Sequence, residues 1–291
     1  MARLPVLFMS TSHLAAYTAI RPRLLRLAYR HLGCRSEAED VVQEAWLRLA
    51  GAEGVASPEA YLVRVVTRLC IDLRKSARAR RETYVGQWLP EPVADLPSTD
   101  PVEARLDLSF AMMRAYEALS PEERAALFLH DLFDLPFAEI AETLERTPAA
   151  VRQLASRARQ ALSTGRQRVS APATALARLE SAFRHGAETG DIGPLTALLA
   201  ADVRLTSDGG GKVSALPQPL SGAEAVARLL LGLARRPALR LVPLPFNDAP
   251  GYLVYEGDRL DTAIALAWNE DGTLAAIDFQ RNPDKLAALH A

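Results

Sequence analysis

The sequence predicts a multidomain protein in which two all-α domains precede an α+β domain with a curved antiparallel sheet. Apolar residues recur at helical spacing through most of the first 170 residues, whereas strand-like segments appear only after residue 200. Four prolines within residues 86–101 interrupt the helical pattern and indicate a linker. We therefore expect helical domains at residues 1–85 and 102–168, joined by this linker, and the α+β domain at residues 169–291.

Three helices account for the first domain. The first is expected to run from about residue 10 to Gly33, a residue suited to a helix C-cap. The second is expected to start at a capping box at residues 36–39 and to stop at Gly51. Residues 57–58, a serine followed by a proline, provide the cap and the first-turn proline of the third helix.

The second domain contains a candidate helix-turn-helix, preceded by helices that start at residues 100–103 and at a capping box at 120–123. A short helix at residues 137–144 and a longer one at 148–165, with a tight connection, have the proportions of this motif. The longer helix would bury its apolar face and present donors for phosphates and base edges on its outer face. The outer residues are Arg152, Gln153, Ser156, Arg157, Arg159 and Gln160. An ordinary helical hairpin with a solvated basic face is the alternative.

The last domain contains both helices and strands. We expect helices at residues 172–187, 192–200 and 221–236, the third of them opened by a capping box. The expected strands are residues 203–206, 238–243, 251–255, 261–268 and 274–281. Helices followed by a set of strands indicate an α+β domain.

The net charge of −1 conceals a strong pattern along the chain. Residues 60–85 carry seven Lys and Arg against two acids, and residues 146–168 carry six Arg and no acid. Between these blocks, residues 87–145 carry three basic and thirteen acidic residues. Two basic blocks in separate domains favour contact with nucleic acid at two sites, although a basic helix end alone is more often a solvated face.

Composition disfavours several functional classes. The longest apolar runs are about ten residues, too short to cross a bilayer, and the N-terminus lacks the apolar core of a signal peptide. Cys34 and Cys70 form no metal or redox motif, and the five histidines are scattered. We expect a cytoplasmic protein with no membrane partner, no metal and no cofactor.

The second predicted helix presents an acidic and amide surface. Its members are Glu37, Glu39, Asp40, Gln43 and Glu44. This surface is either a solvated helix face or a docking surface for a basic protein partner, and spacing alone does not decide between the two.

Both helical domains contain recognisable motifs. Those of the first domain are segments 29–33, 38–48 and 61–74, with Asp-Val-Val-Gln-Glu at 40–44, and they resemble region 2 of the bacterial extracytoplasmic-function (ECF) sigma factors. The segments that resemble region 4 are 119–124, 140–142 and 151–159. The resemblance is specific because both halves occur in order.

The resemblance implies a transcription initiation factor, and not an enzyme, that binds core RNA polymerase and directs recognition of the −35 and −10 elements of promoter DNA. It implies contacts with the β flap and with the β′ clamp helices of the polymerase, the latter made by Asp40, Gln43 and Glu44. The −10 contacts, beside a pocket for a flipped base at 51–57, are implied for Arg64, Arg68, Arg74 and Lys75. The −35 contacts are implied for Arg152, Gln153, Ser156, Arg157 and Arg159.

Three further motifs extend the resemblance to nearly the whole chain. Residues 88–92, 208–212 and 282–286 resemble the subgroup that carries a fused C-terminal SnoaL-like domain, an α+β cone. The resemblance implies that this domain modulates the sigma part through contacts with it and with the linker. The residues implied in these regulatory contacts are Trp88, Pro90, Asp208, Gly209, Gly210, Gly211, Lys212, Asn282, Pro283, Asp284 and Lys285.

Other interpretations of the C-terminal domain stay open. SnoaL-like domains include enzymes that transfer protons, and Asp208, Asp278 and His185 are candidate groups, although no paired acid–base spacing is present. The segment 208–212 lacks the spacing of a phosphate-binding P-loop and is equally explained as a hairpin turn. An enzyme or sensor with a DNA-binding module is therefore the alternative function, and a small ligand in this domain is a further candidate partner.

Overall fold

The computed structural model describes residues 11–81, 84–94, 109–163, 173–234, 239–247 and 249–289. These residues form two compact units. The first unit holds residues 11–79 and 116–162, and the second holds the other described residues. No helix within the described ranges is long and apolar enough to cross a membrane.

The described helices before residue 164 agree with the sequence prediction in order and type. They are α1 (Thr11–Leu32), α2 (Arg35–Ala50), α3 (Pro58–Arg81), α4 (Phe110–Glu117), α5 (Pro121–Phe133), α6 (Phe137–Leu144) and α7 (Pro148–Ser163). The helix start predicted at residues 100–103 lies outside the described residues. Within them, α4 begins at Phe110 and follows Ser109, whose hydroxyl accepts from the backbone N–H of Met112 at 3.3 Å.

Of the two capping boxes predicted in the helical region, one is present. The Ser120 hydroxyl accepts from the backbone N–H of Glu123, and the Glu123 carboxylate accepts from the N–H of Ser120. The box predicted at Ser36 is wrong, because α2 begins two residues earlier than the box requires, with Cys34 at its N-cap. Ser36 therefore lies inside the first turn, where its hydroxyl contacts the Cys34 thiol at 3.2 Å.

This difference predicts unequal effects of two matched substitutions. Ser120→Ala removes one capping hydrogen bond of α5 and is expected to lower the free energy of unfolding by about 1 kcal/mol. Ser36→Ala removes no cap and is expected to change it by less than about 0.5 kcal/mol. Urea denaturation followed by helical circular dichroism measures both, and equal losses would contradict the assignment of the caps.

A buried polar cluster lies inside the first unit. The Arg124 guanidinium is fully buried, donates to the backbone oxygen of His31 at 2.7 Å and pairs with Glu117 at 2.9 Å. The His31 ring is also fully buried, and neither ring nitrogen has a hydrogen-bond partner among the described residues. Burial, together with the positive charges of Arg124 and Arg74, holds the pKa of His31 well below its usual range.

His31 should therefore make the first unit sensitive to acid. Because its pKa is lower in the folded state, the unfolded chain binds a proton that the folded chain does not. The stability is present above pH ~6.5 and is lost as the pH falls, by about 1.4 kcal/mol per pH unit below that value. Denaturation between neutral pH and pH ~5 should show a shallower dependence for His31→Leu, and identical slopes would rule out this role of His31.

The second unit is built around one six-stranded sheet. Its strands are β1 (Leu199–Asp208), β2 (Leu220–Ser221), β3 (Leu239–Pro243), β4 (Gly251–Glu256), β5 (Arg259–Trp268) and β6 (Leu274–Gln280), in the order β2-β1-β6-β5-β4-β3. Its helices from residue 173 on are α8 (Ala173–Thr189), α9 (Gly193–Thr196), α10 (Ala223–Ala234) and α11 (Pro283–Leu286). The prediction of an α+β domain is confirmed.

The sheet is mixed, which corrects the prediction of a purely antiparallel one. Every described pair of neighbouring strands is antiparallel except β1 and β6, which run parallel with Leu205 opposite Ile277. The chain reaches β6 only after four other strands, so the direction of this pair depends on an association between distant segments. The alternation of apolar and polar residues along a strand predicts which side chains are buried, but it does not predict which distant strand will pair with that strand or in which direction.

Two boundaries in this unit also differ from the prediction. The helix predicted at residues 192–200 ends at Thr196, because Leu199 and Ala200 are buried and begin β1. The helix predicted from Ser221 begins at Ala223, since Ser221 pairs with Arg204 in the strand β2 instead of capping the helix. The elements β2 and α11 have no counterpart in the prediction.

The described part of the predicted linker, residues 86–94, is not a free connection, and residues 84–85 before it share its surroundings. It belongs to the second unit, and residues 89–93 are buried there. Leu89 is fully buried in an apolar cluster with Phe110, Phe246 and Leu253. The prolines correctly predicted a segment without regular secondary structure. Only the structure shows that this segment packs against the sheet and is held there.

Candidate polymerase-, DNA- and linker-binding sites

The predicted polymerase-binding residues lie along one side of α2. Asp40 and Gln43 are exposed, and Glu44 is half-buried and pairs with Arg48 at 2.8 Å. Residues spaced three and four apart along a helix share a face, so these side chains form one stripe. Leu47 extends that stripe by one turn, and 57% of its side chain is exposed. The spacing was visible in the sequence, but only the structure shows that this leucine is not buried.

The predicted −10 residues differ in what surrounds them. Arg64 is exposed on α3. Arg68 donates to the backbone oxygen of Thr143 at 3.1 Å and pairs with Glu145 at 3.1 Å, while Lys75 lies 3.8 Å from Glu122.

Arg74 is the least accessible of the four, with 10% of its side chain exposed. It donates to the backbone oxygen of His31 at 2.9 Å and makes two bonds to the Glu117 carboxylate, at 3.1 and 3.3 Å. Of the four residues, Arg68, Arg74 and Lys75 therefore contact acidic groups or carbonyls from α4, α5 and the α6–α7 region. Their role on DNA stays a prediction.

The helix-turn-helix predicted from sequence is formed by α6 and α7. The chain reverses at Glu145, which adopts a left-handed conformation (φ 55°) and donates its backbone N–H to the carbonyl of Ala141. The apolar face of α7 packs inward as predicted, with Val151, Ala155 and Ala158 fully buried. Thr147 caps α7 by accepting the N–H of Ala150 at 3.2 Å.

The outer face of α7 carries the predicted −35 residues. All five are exposed, namely Arg152, Gln153, Ser156, Arg157 and Arg159. Arg159 differs from the others because its guanidinium bonds to the carboxylate of Asp131 and to the ring of His130 on α5. Arg159 thus ties α7 to α5, and the remaining four present their donors to solvent on one helix surface.

In the second unit, Asp208 is the centre of a cluster that holds residues 84–94. Its side chain is fully buried and accepts from the N–H of Leu89 at 2.9 Å and from the hydroxyl of Tyr84 at 2.6 Å. It also accepts from the N–H of Gly210 at 2.9 Å and pairs with the ammonium of Lys285 at 2.7 Å. Burial and the bond to this carboxylate raise the pKa of Tyr84, which keeps the phenol protonated.

Lys285 makes further contacts with the same segment. Its ammonium donates to the backbone oxygen of Leu89 at 2.6 Å and lies 4.4 Å from the ring centre of Trp88, a cation–π distance. The Gln280 amide donates to the backbone oxygen of Pro90 at 3.0 Å. We call Asp208, Gln280, Asn282 and Lys285 the linker-binding cluster.

The glycines after Asp208 are required by close approach and by backbone conformation. A Cβ on Gly209 would lie 2.3 Å from the backbone oxygen of Val213. Gly210 has a φ of 62°, and a Cβ there would collide with the side chain of Asn282. Gly211 has a φ of 71° and lies beside Val85.

The motif at 282–286 folds over this turn. Asn282 caps α11 by accepting the N–H of Asp284, and its amide donates to the Tyr84 hydroxyl at 3.1 Å. Pro283 occupies the first turn of α11, and Asp284 pairs with Lys212 at 2.6 Å. The structure thus brings together the three motifs that the resemblance linked.

Sequence reasoning did not find several residues of this site. Tyr84 and Gln280 bind within the cluster, and Asn247 exchanges two hydrogen bonds with the backbone of Val93, at 2.8 and 3.0 Å. These residues belong to no periodic pattern. Asn247 has a left-handed φ of 52°. Asparagine tolerates this conformation in turns, so its residue type was the one available signal for a turn at this position.

The three candidate proton-transfer groups have separate partners. Asp208 pairs with Lys285, and the nearly buried Asp278 pairs with Arg114. His185 is exposed on α8 and lies 3.6 Å from Asp191. Asp208 therefore binds residues of the segment 84–94, and Asp278 binds α4 through Arg114.

Two family models match the helical part of the chain. Residues 16–80 match the family described as Sigma-70 region 2, and residues 109–162 match the family described as Sigma-70, region 4. Together with the exposed helix-turn-helix surface, these matches define a sigma-type transcription factor.

Individual relatives narrow the class. The chain is 43% identical over 226 residues to the ECF RNA polymerase sigma factor SigJ of Mycobacterium tuberculosis, covering 76% of this chain and 72% of that one. It is 32% identical over 284 residues to the probable ECF RNA polymerase sigma factor SigI of the same species, covering 95% and 96% of the two chains. The crystal structure of M. tuberculosis SigJ matches with a TM-score of 0.72 and 36% identity, over 94% of this chain and 98% of that chain.

The chain therefore belongs to the ECF RNA polymerase sigma factors. The structural match over both units also supports the SnoaL-like C-terminal domain predicted from the sequence.

Proposed function

We propose that this ECF sigma factor binds core RNA polymerase and directs recognition of −35 and −10 promoter elements. The outer face of α7 carries this proposal, because all five side chains predicted to read the −35 element are exposed there. Arginine and glutamine supply the donors that phosphates and base edges in the major groove accept. The exposed stripe of Asp40, Gln43 and Leu47 on α2 supports docking on a polymerase surface of complementary charge.

Ion pairs made by two of the predicted −10 residues on α3 affect how these residues would bind DNA. Arg68 and Lys75 are paired with Glu145 and Glu122, which carry the same charge as DNA phosphates. The Arg68–Glu145 pair is largely exposed, and the Lys75–Glu122 pair is long, at 3.8 Å, so both pairs contribute little to stability. Promoter DNA would exchange these carboxylates for phosphates at small cost, and the pairs would weaken binding to DNA until the exchange occurs.

We propose further that the fused C-terminal domain modulates the sigma activity through residues 84–94. The linker-binding cluster supports this, because it holds the chain segment between the two helical parts by two buried and two partly buried hydrogen bonds. Asp208 and Gln280 are fully buried, so these contacts are shielded from water. A signal that changes this hold would change the freedom of the segment that joins the promoter-reading parts.

Run-off transcription with purified core polymerase tests the first proposal. The full-length protein should give a specific transcript from its own promoter. Arg152→Ala with Arg157→Ala is expected to lower that transcription by about tenfold or more, since one base-contacting arginine contributes about 1–3 kcal/mol.

Arg228→Ala is the matched control, because Arg228 is an exposed arginine on α10. It should leave the transcript unchanged. A folded protein that gives no transcript with any candidate promoter would remove the proposed function.

A further inference from the structure

The second unit contains a cavity that none of the contacts described above uses. It has a volume of about 650 Å³ and lies between one face of the sheet and the helices α8 and α10. Protein cavities that bind drug-sized molecules measure about 300–1,000 Å³ and are mainly apolar with a few polar groups. The size of this cavity therefore fits one small organic molecule.

The walls of the cavity are mostly large apolar side chains. Phe183 on α8, Leu230 and Leu233 on α10 and Ile264 on β5 all line it. Each of them packs against the buried core and is itself only partly buried. Apolar surface left uncovered in this way favours an apolar occupant.

One pair of polar side chains, Glu180 and Tyr252, lines the cavity, and Glu180 is also exposed to solvent. The Tyr252 hydroxyl donates to the Glu180 carboxylate at 2.7 Å, and both residues line the cavity. Burial and this bond raise the pKa of Tyr252, so the phenol stays protonated. A carboxylate has room for about four hydrogen bonds, so Glu180 can accept a further bond from an O–H or N–H of a ligand.

The other charged groups of the lining balance one another. Asp261 accepts two bonds from Arg281, at 2.9 and 3.0 Å, and one from Thr262 at 2.7 Å. Burial of Asp261 opposes its ionisation, but the bonds from Arg281 and Thr262 outweigh this and lower its pKa. Glu180 and Asp261 are matched in number by Arg184 and Arg281. This balance favours an uncharged ligand over an anion or a cation.

The cavity and the linker-binding cluster use opposite faces of the same strands. Ser207 and Phe279 line the cavity, whereas their neighbours Asp208 and Gln280 bind residues 84–94. Successive side chains of a strand point to opposite faces, which explains this separation. The cavity is therefore separate from the linker-binding cluster.

We propose that this cavity binds an uncharged, largely apolar molecule that donates one hydrogen bond to the Glu180–Tyr252 pair. Binding is measured without transcription, so this inference stands or falls independently of the proposed function.

The probe for the test is N-phenyl-1-naphthylamine, an uncharged apolar fluorophore with one N–H donor. The full-length protein should bind it saturably, with one site and a rise in emission. Ile264→Trp places an indole beside Tyr252, which is its cross-strand neighbour, and should abolish this binding. Ala225→Trp places the same indole on an exposed position of α10 and should leave binding unchanged.

Leu230→Trp fills the cavity from the opposite wall and replaces Ile264→Trp if that variant does not melt cooperatively. No saturable binding by the wild-type protein, or equal binding by folded variants with a filled cavity, would overturn the site.

A second arm tests the hydrogen bond. Glu180→Leu should weaken probe binding by about five- to tenfold, the effect of one lost hydrogen bond. Glu188→Leu, an exposed substitution on the same helix, should not change it. If both variants bind like the wild type, a ligand that donates to Glu180 is excluded.

Discussion

Replacing Asp208 with alanine is expected to raise the amide exchange rate of Leu89 by about two orders of magnitude. The carboxylate is fully buried and accepts bonds from Leu89, Tyr84 and Gly210, and its loss leaves the ammonium of Lys285 without its ion-pair partner. Breaking a buried ion pair by removing one partner costs about 3 kcal/mol or more, which corresponds to this change in local opening.

Hydrogen–deuterium exchange of peptides that span residues 84–93 measures the effect. Asp284→Ala is the matched control, because the Asp284–Lys212 pair is exposed and contributes at most about 1 kcal/mol. Peptides from β5 should exchange alike in all three proteins, which shows that the sheet is intact. Equal exchange of residues 84–93 in both variants would mean that Asp208 does not hold the segment.

The same variant bears on the proposed regulation. If the C-terminal domain modulates sigma activity through this segment, Asp208→Ala should change run-off transcription, while Glu188→Ala, an exposed substitution on α8, should not. A loosened segment with unchanged transcription would preserve the structural role of Asp208 but contradict the proposed regulation.

The second large effect is expected on the polymerase-binding stripe of α2. Asp40→Ala combined with Leu47→Ala should weaken the affinity for core RNA polymerase by about thirtyfold or more, which corresponds to at least about 2 kcal/mol. Both side chains are exposed, so the free energy of unfolding should change little. A titration of labelled protein with core polymerase measures the affinity.

Glu188→Ala provides the control for the loss of an acidic side chain. Glu188 is exposed on α8 and belongs to the second unit. It should change the affinity by no more than a few-fold. If all three substitutions have the same small effect, this side of α2 is a solvated face, the alternative that the sequence left open.

Local patterns in the sequence predicted the helical part of the protein well. The inner and outer faces of α7 follow from helical periodicity alone, and Val151, Ala155 and Ala158 are buried as that periodicity requires. The capping box at Ser120 was found for the same reason, since all its atoms lie within one turn. At Ser36 the same pattern failed, because the helix begins two residues earlier than the box requires.

The sequence did not predict which of the site residues are buried or which partners they contact. Arg74 and Arg64 read alike in the sequence as basic residues of one helix, yet Arg74 is largely buried against Glu117 and Arg64 is exposed. The difference depends on a partner 43 residues away in the chain. No local pattern carries that information.

The net charge of −1 conceals two basic blocks, and their distribution along the chain favours a nucleic-acid partner. Sequence by itself determined the order of domains, the helix-turn-helix, the basic and acidic faces and, through motifs, the family. Only the tertiary structure decided that residues 84–94 are bound, that β1 pairs in parallel with β6, and that a cavity lies on the opposite face of the sheet. The physical reason is the range of the interactions: caps and helix faces are formed by residues a few positions apart, whereas the bond between Tyr84 and Asp208 joins residues 124 positions apart.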